Sequence, residues 1–263
     1  MADAYFERVA ERRFLATQHT GGAWNEDEQH IGPALGLLVH VIEQHRDARR
    51  DDGLAIGRLS YDILGTVPVG EMDVDVHVVR PGRTIELVEA TLTYDGRNIV
   101  LLRAWLLQAG DTAAVAGSSF EPIPSRLQME PWSPTEVWPG GFLASADCYR
   151  LQREPGRASY WMRPRVDLIA GERTSPLARA AGLIDIANGI TVRESPQEVA
   201  FPNVDLTAHF FAQPAGEWVG FDTTVSFGSR GLGLTHTILH DDIGAIGSMS
   251  QILTLRPRTE DPA

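Results

Sequence analysis

The sequence predicts an α+β protein made of two similar units, each with one helix packed on an antiparallel sheet. Three observations lead to this prediction. Each half of the 263-residue chain contains one amphipathic helical stretch and several runs in which apolar and polar residues alternate. Residues 121–141, between the halves, contain five prolines, a density that helices and central strands do not tolerate. Landmarks of the first half also recur in the second half at a nearly constant spacing.

In the first half, residues 1–12 are expected to form a short amphipathic lead-in, followed by a strand over 14–17. A helix should start near Pro33, because proline suits the first helical turn. Its apolar face is formed by Leu35, Leu38, Val39 and Ile42. Four strands are then expected, at residues 54–64, 71–79, 83–94 and 98–108.

The second half repeats this plan. Its helix should start at Thr174-Ser175-Pro176, a hydroxyl cap followed by proline, and end at Asn188-Gly189. Strands are expected before it, at residues 142–151 and 157–166, and after it, at residues 204–212, 217–227, 233–240 and 245–255. The predicted domains are a first unit at 1–120, a linker at 121–141, a second unit at 142–257 and a tail at 258–263.

The repeat rests on residue pairs that are 146 positions apart. These pairs are Pro68 and Pro214, Gly82 and Gly228, and Asp95 and Asp241. Because the order of elements also matches, we interpret the chain as a tandem duplication.

Composition limits the classes of partner and compartment. A net charge of −12 opposes binding to nucleic acid or to an anionic membrane. Cys148 is the single cysteine, no Cys/His set has metal-ligand spacing, and no apolar run approaches about 18 residues. The first residues are charged and lack the apolar segment of a secretory signal. We therefore expect a cytoplasmic protein that uses no metal or organic cofactor.

Two polar residues stand out in the apolar strands of the second half. Burying an unpaired polar group costs a few kcal/mol, so such residues need a partner or a purpose. Asp205 begins one strand, and Gln251 alternates with Met249 and Leu253 in another. A turn residue and a hydrogen-bonded core glutamine are the structural alternatives.

Other candidates lie on the helices. Asp185 and Asn188 are one turn apart in the second helix, where Asp is a poor helix former, and both could face a cavity. A hydrogen bond at the end of the helix is the alternative for this pair. His30 precedes the first helix and is a candidate substrate donor.

Several short motifs, in this order and spacing, resemble the double-hotdog acyl-CoA thioesterases, the bacterial type II class. They are Gly22-Ala23-Trp24-Asn25, His30-Ile31-Gly32-Pro33, Asp185-Ile186-Ala187-Asn188-Gly189, Val204-Asp205-Leu206-Thr207-Ala208-His209-Phe210, Pro214-Ala215-Gly216-Glu217-Trp218 and Ser250-Gln251. The resemblance covers nearly the whole chain. It implies a tandem hotdog fold, in which each unit is a long central helix wrapped by a curved antiparallel sheet.

The resemblance also implies chemistry. In that class an Asp, a Ser or Thr, and a Gln of the second hotdog hold the water that attacks the thioester. Asp205 matches the Asp, Gln251 the Gln, and Ser226 the hydroxyl, with Thr224 as the alternative. Backbone N–H groups at a helix start, either His30–Ala34 or Thr174–Leu177, would serve the carbonyl oxygen. The expected substrate is an acyl-CoA or acyl-carrier thioester, and the chain is expected to form a homo-oligomer.

Two other functions stay open at this point. One is a non-catalytic hotdog protein that binds acyl thioesters. The other is a hotdog hydratase or dehydratase, which needs an Asp–His pair, and the sequence shows no evident Asp partner for His30. At a spacing of 146, Asp205, Gln251 and Ser226 correspond to Leu59, Trp105 and Arg80. We therefore expect chemistry to be confined to the second hotdog.

Overall fold

The computed structural model describes residues 3–258, so most of the predicted tail lies outside the described residues. The first half contains one helix, α1 (Ile31–Asp47). Its strands are β1 (Ala4–Ala10), β2 (Arg13–Ala16), β3 (Ala55–Ile63), β4 (Glu71–Arg80), β5 (Ile85–Tyr94) and β6 (Arg97–Leu107).

The connecting region and second half hold ten strands and three short helices. The strands are β7 (Glu130–Pro131), β8 (Ala146–Glu154), β9 (Arg157–Pro164), β10 (Asp167–Ile169), β11 (Val199–Ala200), β12 (Asp205–Phe210), β13 (Val219–Phe227), β14 (Leu232–His240), β15 (Ala245–Thr254) and β16 (Arg256–Pro257). The helices are α2 (Gly141–Ala144), α3 (Pro176–Ala181) and α4 (Ala187–Ile190).

One sheet of fourteen strands joins the two halves, in the order β10-β1-β2-β4-β5-β6-β3-β12-β15-β14-β13-β9-β8-β7. At its centre β3 and β12 run antiparallel, with Leu59 opposite Ala208. Read outward from this pair, the first half continues as β6, β5, β4, β2, β1 and the second as β15, β14, β13, β9, β8. The matching order supports the tandem duplication.

The spacing of the repeat within the sheet is 147 residues, and the predicted 146 is wrong by one. Val88 pairs with Ala104 in the first half, and Thr235 pairs with Gln251 in the second, each 147 positions later. Successive strand residues face opposite sides of a sheet, so an error of one exchanges the faces. The counterpart of Gln251 is therefore buried Ala104 instead of Trp105.

The same shift changes the other two counterparts. Arg58, 147 positions before Asp205, replaces Leu59, and Val79 replaces Arg80 as the counterpart of Ser226. The landmarks that suggested 146 lie in turns, where one half can carry one residue more than the other without disturbing a strand.

Helix α1 lies in the core and packs against α3 through small residues. A Cβ atom on Gly36 would lie 2.7 Å from the carbonyl oxygen of Ala178 and 2.9 Å from the Cα of Gly182. Only glycine permits this approach of the two backbones. The crossing brings the start of α1 close to the chain that follows α3.

The second helix is interrupted, although the sequence predicts one continuous helix. After α3, the chain forms a 3₁₀ turn at Ile184–Ile186 before α4 begins. Gly182 ends the first segment, in keeping with the low helix propensity of glycine. The interruption sets the direction in which Asp185 points.

Three further differences concern segments outside the main pattern. Residues 4–10 form strand β1 instead of an amphipathic lead-in, and β10 pairs with it in parallel. The predicted strand at 142–151 begins one turn later, after α2. Within the predicted linker, β7 pairs with β8, and Trp138 is 4% exposed. Within residues 3–258 no helix is long and apolar enough to cross a membrane.

Candidate active site

Asp185 is a buried carboxylate held by two side-chain amides. It sits in the 3₁₀ turn and is 5% exposed. Asn203 Nδ2 donates to its Oδ1 at 2.8 Å, while Gln251 Nε2 donates to its main-chain oxygen at 3.2 Å and lies 3.5 Å from Oδ1. Burial raises the pKa of Asp185 to about 6, and the hydrogen bonds from Asn203 and Gln251 limit the rise. This carboxylate can therefore exchange a proton close to neutral pH.

His30 caps α1 beside this carboxylate. Its Nδ1 accepts a hydrogen bond from the N–H of Gly32 at 3.1 Å, and the same nitrogen lies 3.6 Å from Asp185 Oδ2. Burial lowers the pKa of His30 to about 3, so the ring is neutral and its proton is on Nε2. The close approach of His30 and Asp185 is consequently not an ion pair, and Oδ2 remains free to accept a proton.

A pocket of about 140 Å³ gives access to these groups. Both halves contribute to its lining: His30 and Ile31 come from the start of α1, while Asp185 and Asn203 come from the second half. Gln251 lies behind Asp185, and its Oε1 is buried with no hydrogen-bond partner among the described residues. The site therefore lies at the junction of the two halves.

Asn188 also lines this pocket. It is 7% exposed, and its Nδ2 donates to the main-chain oxygen of Phe201 at 3.2 Å. The segment that it fixes leads directly to Asn203. Asn188 thus supports the chain that carries one of the two amides on Asp185.

The structure does not bring Asp205, Ser226 and Gln251 together. Leu206 and Ala208 are fully buried, so alternation places Asp205 on the outer face of the sheet. There its Oδ1 accepts from the main-chain N–H of Ile252 at 2.7 Å. Gln251, in contrast, is 1% exposed and points inward.

The two candidate hydroxyls also lie on the outer face. Ser226 is exposed beside buried Val225. Thr224 is half-buried, and its Oγ1 donates to the main-chain oxygen of His236 at 3.4 Å. Neither hydroxyl contacts Asp185 or Gln251 through a hydrogen bond in the described part of the chain. The physical reason is strand alternation: Val225 faces the core, so its neighbours Thr224 and Ser226 face the other side of the sheet.

Asn203 contacts Asp185 although it is not among the site residues predicted from the sequence. It precedes β12, and an isolated bridge joins it to Leu253 of β15. The equivalent pair in the first half is Ile56 and Leu106, again 147 positions earlier. At the spacing of 147 residues, the amide of Asn203 corresponds to buried Ile56, and this difference in polarity could have identified Asn203. The first half thus lacks counterparts to both Asn203 and Gln251.

The other helix start lies apart from this pocket. A groove of about 850 Å³ includes Ser175 and Pro176 at the start of α3, and its lining does not include Asp185. Ser175 Oγ donates to Glu43 at 2.6 Å and accepts from the N–H of Ala178 at 3.0 Å. Of the two helix starts expected to serve a carbonyl oxygen, the His30–Ala34 segment is the one beside the buried carboxylate.

Comparison with known proteins identifies the family of this chain. The acyl-CoA thioesterase N-terminal domain matches residues 20–115, and the acyl-CoA thioesterase C-terminal domain matches residues 124–255. Together the matches cover most of the chain, which belongs to the acyl-CoA thioesterase family. No curated protein sequence matches it.

Solved structures agree on the fold. A hot dog fold protein from Alicyclobacillus acidocaldarius is 14% identical, with a TM-score of 0.76, covering 98% of both chains. The acyl-CoA thioesterase II TesB2 from Mycobacterium marinum is 15% identical, with a TM-score of 0.64, covering 98% of this chain and 97% of that one. A tesB protein from Mycobacterium avium subspecies paratuberculosis is 17% identical, with a TM-score of 0.67 and 96% coverage of both. The predicted tandem hotdog is confirmed.

Proposed function

We propose that the protein hydrolyses acyl-CoA thioesters with a water molecule activated by Asp185. Family membership supports the thioester substrate. The observation that carries the proposal is the buried Asp185 carboxylate, which has a pKa of about 6 and lines a pocket at a helix start. A general base works best when its pKa lies near the working pH.

The carboxylate has one oxygen engaged and one available. Oδ1 accepts from Asn203, and the amide of Gln251 fixes the residue from behind. Oδ2 faces the neutral ring of His30, which offers it no proton. A water bound at Oδ2 gives its proton to Asp185 as its oxygen attacks the thioester carbon. When the tetrahedral intermediate collapses, the C–S bond breaks and the departing thiolate takes that proton.

The start of α1 is suited to stabilise the oxygen that becomes negative. First-turn N–H groups lack partners within a helix, and the helix dipole favours negative charge there. Pro33 has no N–H, and the N–H of Gly32 is bound to His30, which leaves that of Ile31 at the pocket. Donors of this kind stabilise the developing oxyanion in acyl transfer.

Two aspartate variants test the assignment in an assay of thiol release from acyl-CoA. Asp185→Asn is expected to lower turnover by about 100-fold or more, because it removes the proton acceptor. Asp205→Asn is the matched control, since Asp205 lies on the outer face, and it should retain wild-type turnover. If Asp205→Asn were inactive and Asp185→Asn active, the site would be wrongly placed.

The assay also separates hydrolysis from binding alone. A folded wild-type protein that binds acyl-CoA and releases no thiol across short, medium and long acyl chains would contradict the proposed hydrolysis. That result would favour the non-catalytic binding function.

A further inference from the structure

The pocket that leads to Asp185 is lined both by exposed residues and by buried apolar ones. Trp24, Asn25, Gly65 and Thr66 are exposed and form part of the rim. Five apolar lining residues, which we call the closed end, are each no more than 4% exposed: Trp138, Leu143, Ile186, Ile190 and Phe201. The charged nucleotide of a CoA ester must stay in water, so the acyl group is the part that enters the closed end.

Hydrogen bonding and backbone packing hold this end in place. Trp138 Nε1 donates to the main-chain oxygen of Gly189 at 2.9 Å, which fixes the indole against α4. Gly22 has φ of +134°, and a Cβ atom there would lie 2.8 Å from the carbonyl oxygen of Pro139. The loop that carries Trp24 is therefore packed directly on the loop that carries Trp138.

Three aromatic rings connect the rim to the closed end. Trp24, Trp138 and Phe201 meet edge to face, with centroids 4.7 to 5.7 Å apart and interplanar angles of 76° to 83°. Edge-to-face pairs of this kind are stabilised beyond the burial of their area. Moving one ring to admit a longer chain would break contacts with the other two.

The volume of the pocket limits the acyl group that it can enclose. The whole pocket measures about 140 Å³. An apolar cavity of roughly 150 Å³ accepts one benzene molecule. An acyl group of about six carbons is similar in size to benzene and would therefore fill this pocket.

We infer that the substrates are thioesters of compact acyl groups, with about six carbons or a single aromatic ring, and that long-chain thioesters are excluded. This inference rests on the proposed function. The closed end selects by size, because a methylene that cannot be accommodated lowers kcat/KM by about 10- to 200-fold.

A panel of butanoyl-, hexanoyl-, benzoyl-, octanoyl- and dodecanoyl-CoA tests the inference on the wild-type protein. We expect kcat/KM to be highest for hexanoyl- or benzoyl-CoA and about 100-fold lower for dodecanoyl-CoA. Equal rates for hexanoyl- and dodecanoyl-CoA would overturn the size limit while leaving the thioesterase function intact.

A pair of truncations tests the wall itself. Ile190→Ala enlarges the closed end and should raise the octanoyl-to-hexanoyl ratio of kcat/KM by about 10-fold. Ile42→Ala is the matched control, because Ile42 is equally buried and lies outside the pocket lining, and its ratio should stay at the wild-type value. Thermal unfolding checks that both variants fold. An unchanged ratio in a folded Ile190→Ala protein would overturn the assignment of the wall.

Binding separates failure of this inference from failure of the proposed function. If no member of the panel is hydrolysed, titration calorimetry compares the affinities of hexanoyl- and dodecanoyl-CoA. Tighter binding of hexanoyl-CoA would support the compact pocket in a non-catalytic protein. Equal or tighter binding of dodecanoyl-CoA would overturn it.

Discussion

Replacing Asp185 by asparagine is expected to stabilise the fold while it lowers turnover. The substitution keeps the size of the side chain and an oxygen that can accept from Asn203. It removes a charge that is buried with no cationic partner among the described residues. The two amides on Asp185 only partly offset the cost of ionising it there.

The size of the effect follows from the pKa. Burial raises the pKa of Asp185 from 3.8 to about 6. A rise of about two units corresponds to about 3 kcal/mol, because each unit is 1.36 kcal/mol. Between these two pKa values the folded state binds more protons than the unfolded state, so stability falls as pH rises from about 4 through about 6. Above that range the ionised side chain exerts its full cost.

Denaturant unfolding of wild type and Asp185→Asn at pH 4 and pH 8 measures this difference. The variant should gain up to about 3 kcal/mol over wild type at pH 8 and much less at pH 4. Asp205→Asn, on the outer face, should show no such dependence on pH. A variant that is less stable than wild type at pH 8, or a difference that is the same at both pH values, would refute the account of the buried carboxylate.

Three other measurements probe the rest of the structure. In wild type, kcat/KM should rise with pH to a plateau, with an apparent pKa of about 6. Asn203→Leu should move this midpoint to higher pH, because it removes a hydrogen bond to the ionised form of Asp185. A midpoint that does not move would contradict this role of Asn203. The hydrogen bond from Arg8 lowers the pKa of Glu172 to about 2, so its contribution to stability is present above about pH 4.5 and lost as pH falls through 2. Glu172→Gln should accordingly unfold at a lower urea concentration at pH 7 and match wild type near pH 2. Gly36→Ala should lower stability by about 1–3 kcal/mol in urea unfolding, because the new Cβ meets the backbone of α3, and a neutral result would show that the helices can separate.

Much of the fold follows from local sequence. The start of α1 near Pro33 and the alternation of Met72 and Val74 along β4 are visible without any tertiary information. Strand β1 was missed because charged residues follow its three buried residues, so the run does not alternate. The interruption after Gly182 agrees with the low helix propensity of glycine, but the close approach of Gly182 to Gly36 of α1 joins distant parts of the chain and has no local pattern.

The site was less accessible to sequence reasoning. Gln251 is predictable because it alternates with apolar residues on a buried face. The same rule, applied to Leu206 and Ala208, places Asp205 on the outer face of the sheet. Asp185 was recognised as an unusual helical residue, but its partners come from β15 and from the chain before β12. Asn203 carries no local signal, because its role depends on the pairing of distant strands.

The joining of both hotdogs in one chain has an evolutionary consequence. In a symmetric dimer of identical chains, every substitution appears twice, once in each equivalent pocket. In this chain the equivalent positions, Ala104 and Gln251, are encoded separately, so a substitution at one position leaves the other unchanged. One chain can therefore place different groups from its two halves around a single pocket, with His30 and Ile31 from the first half and Asp185 from the second.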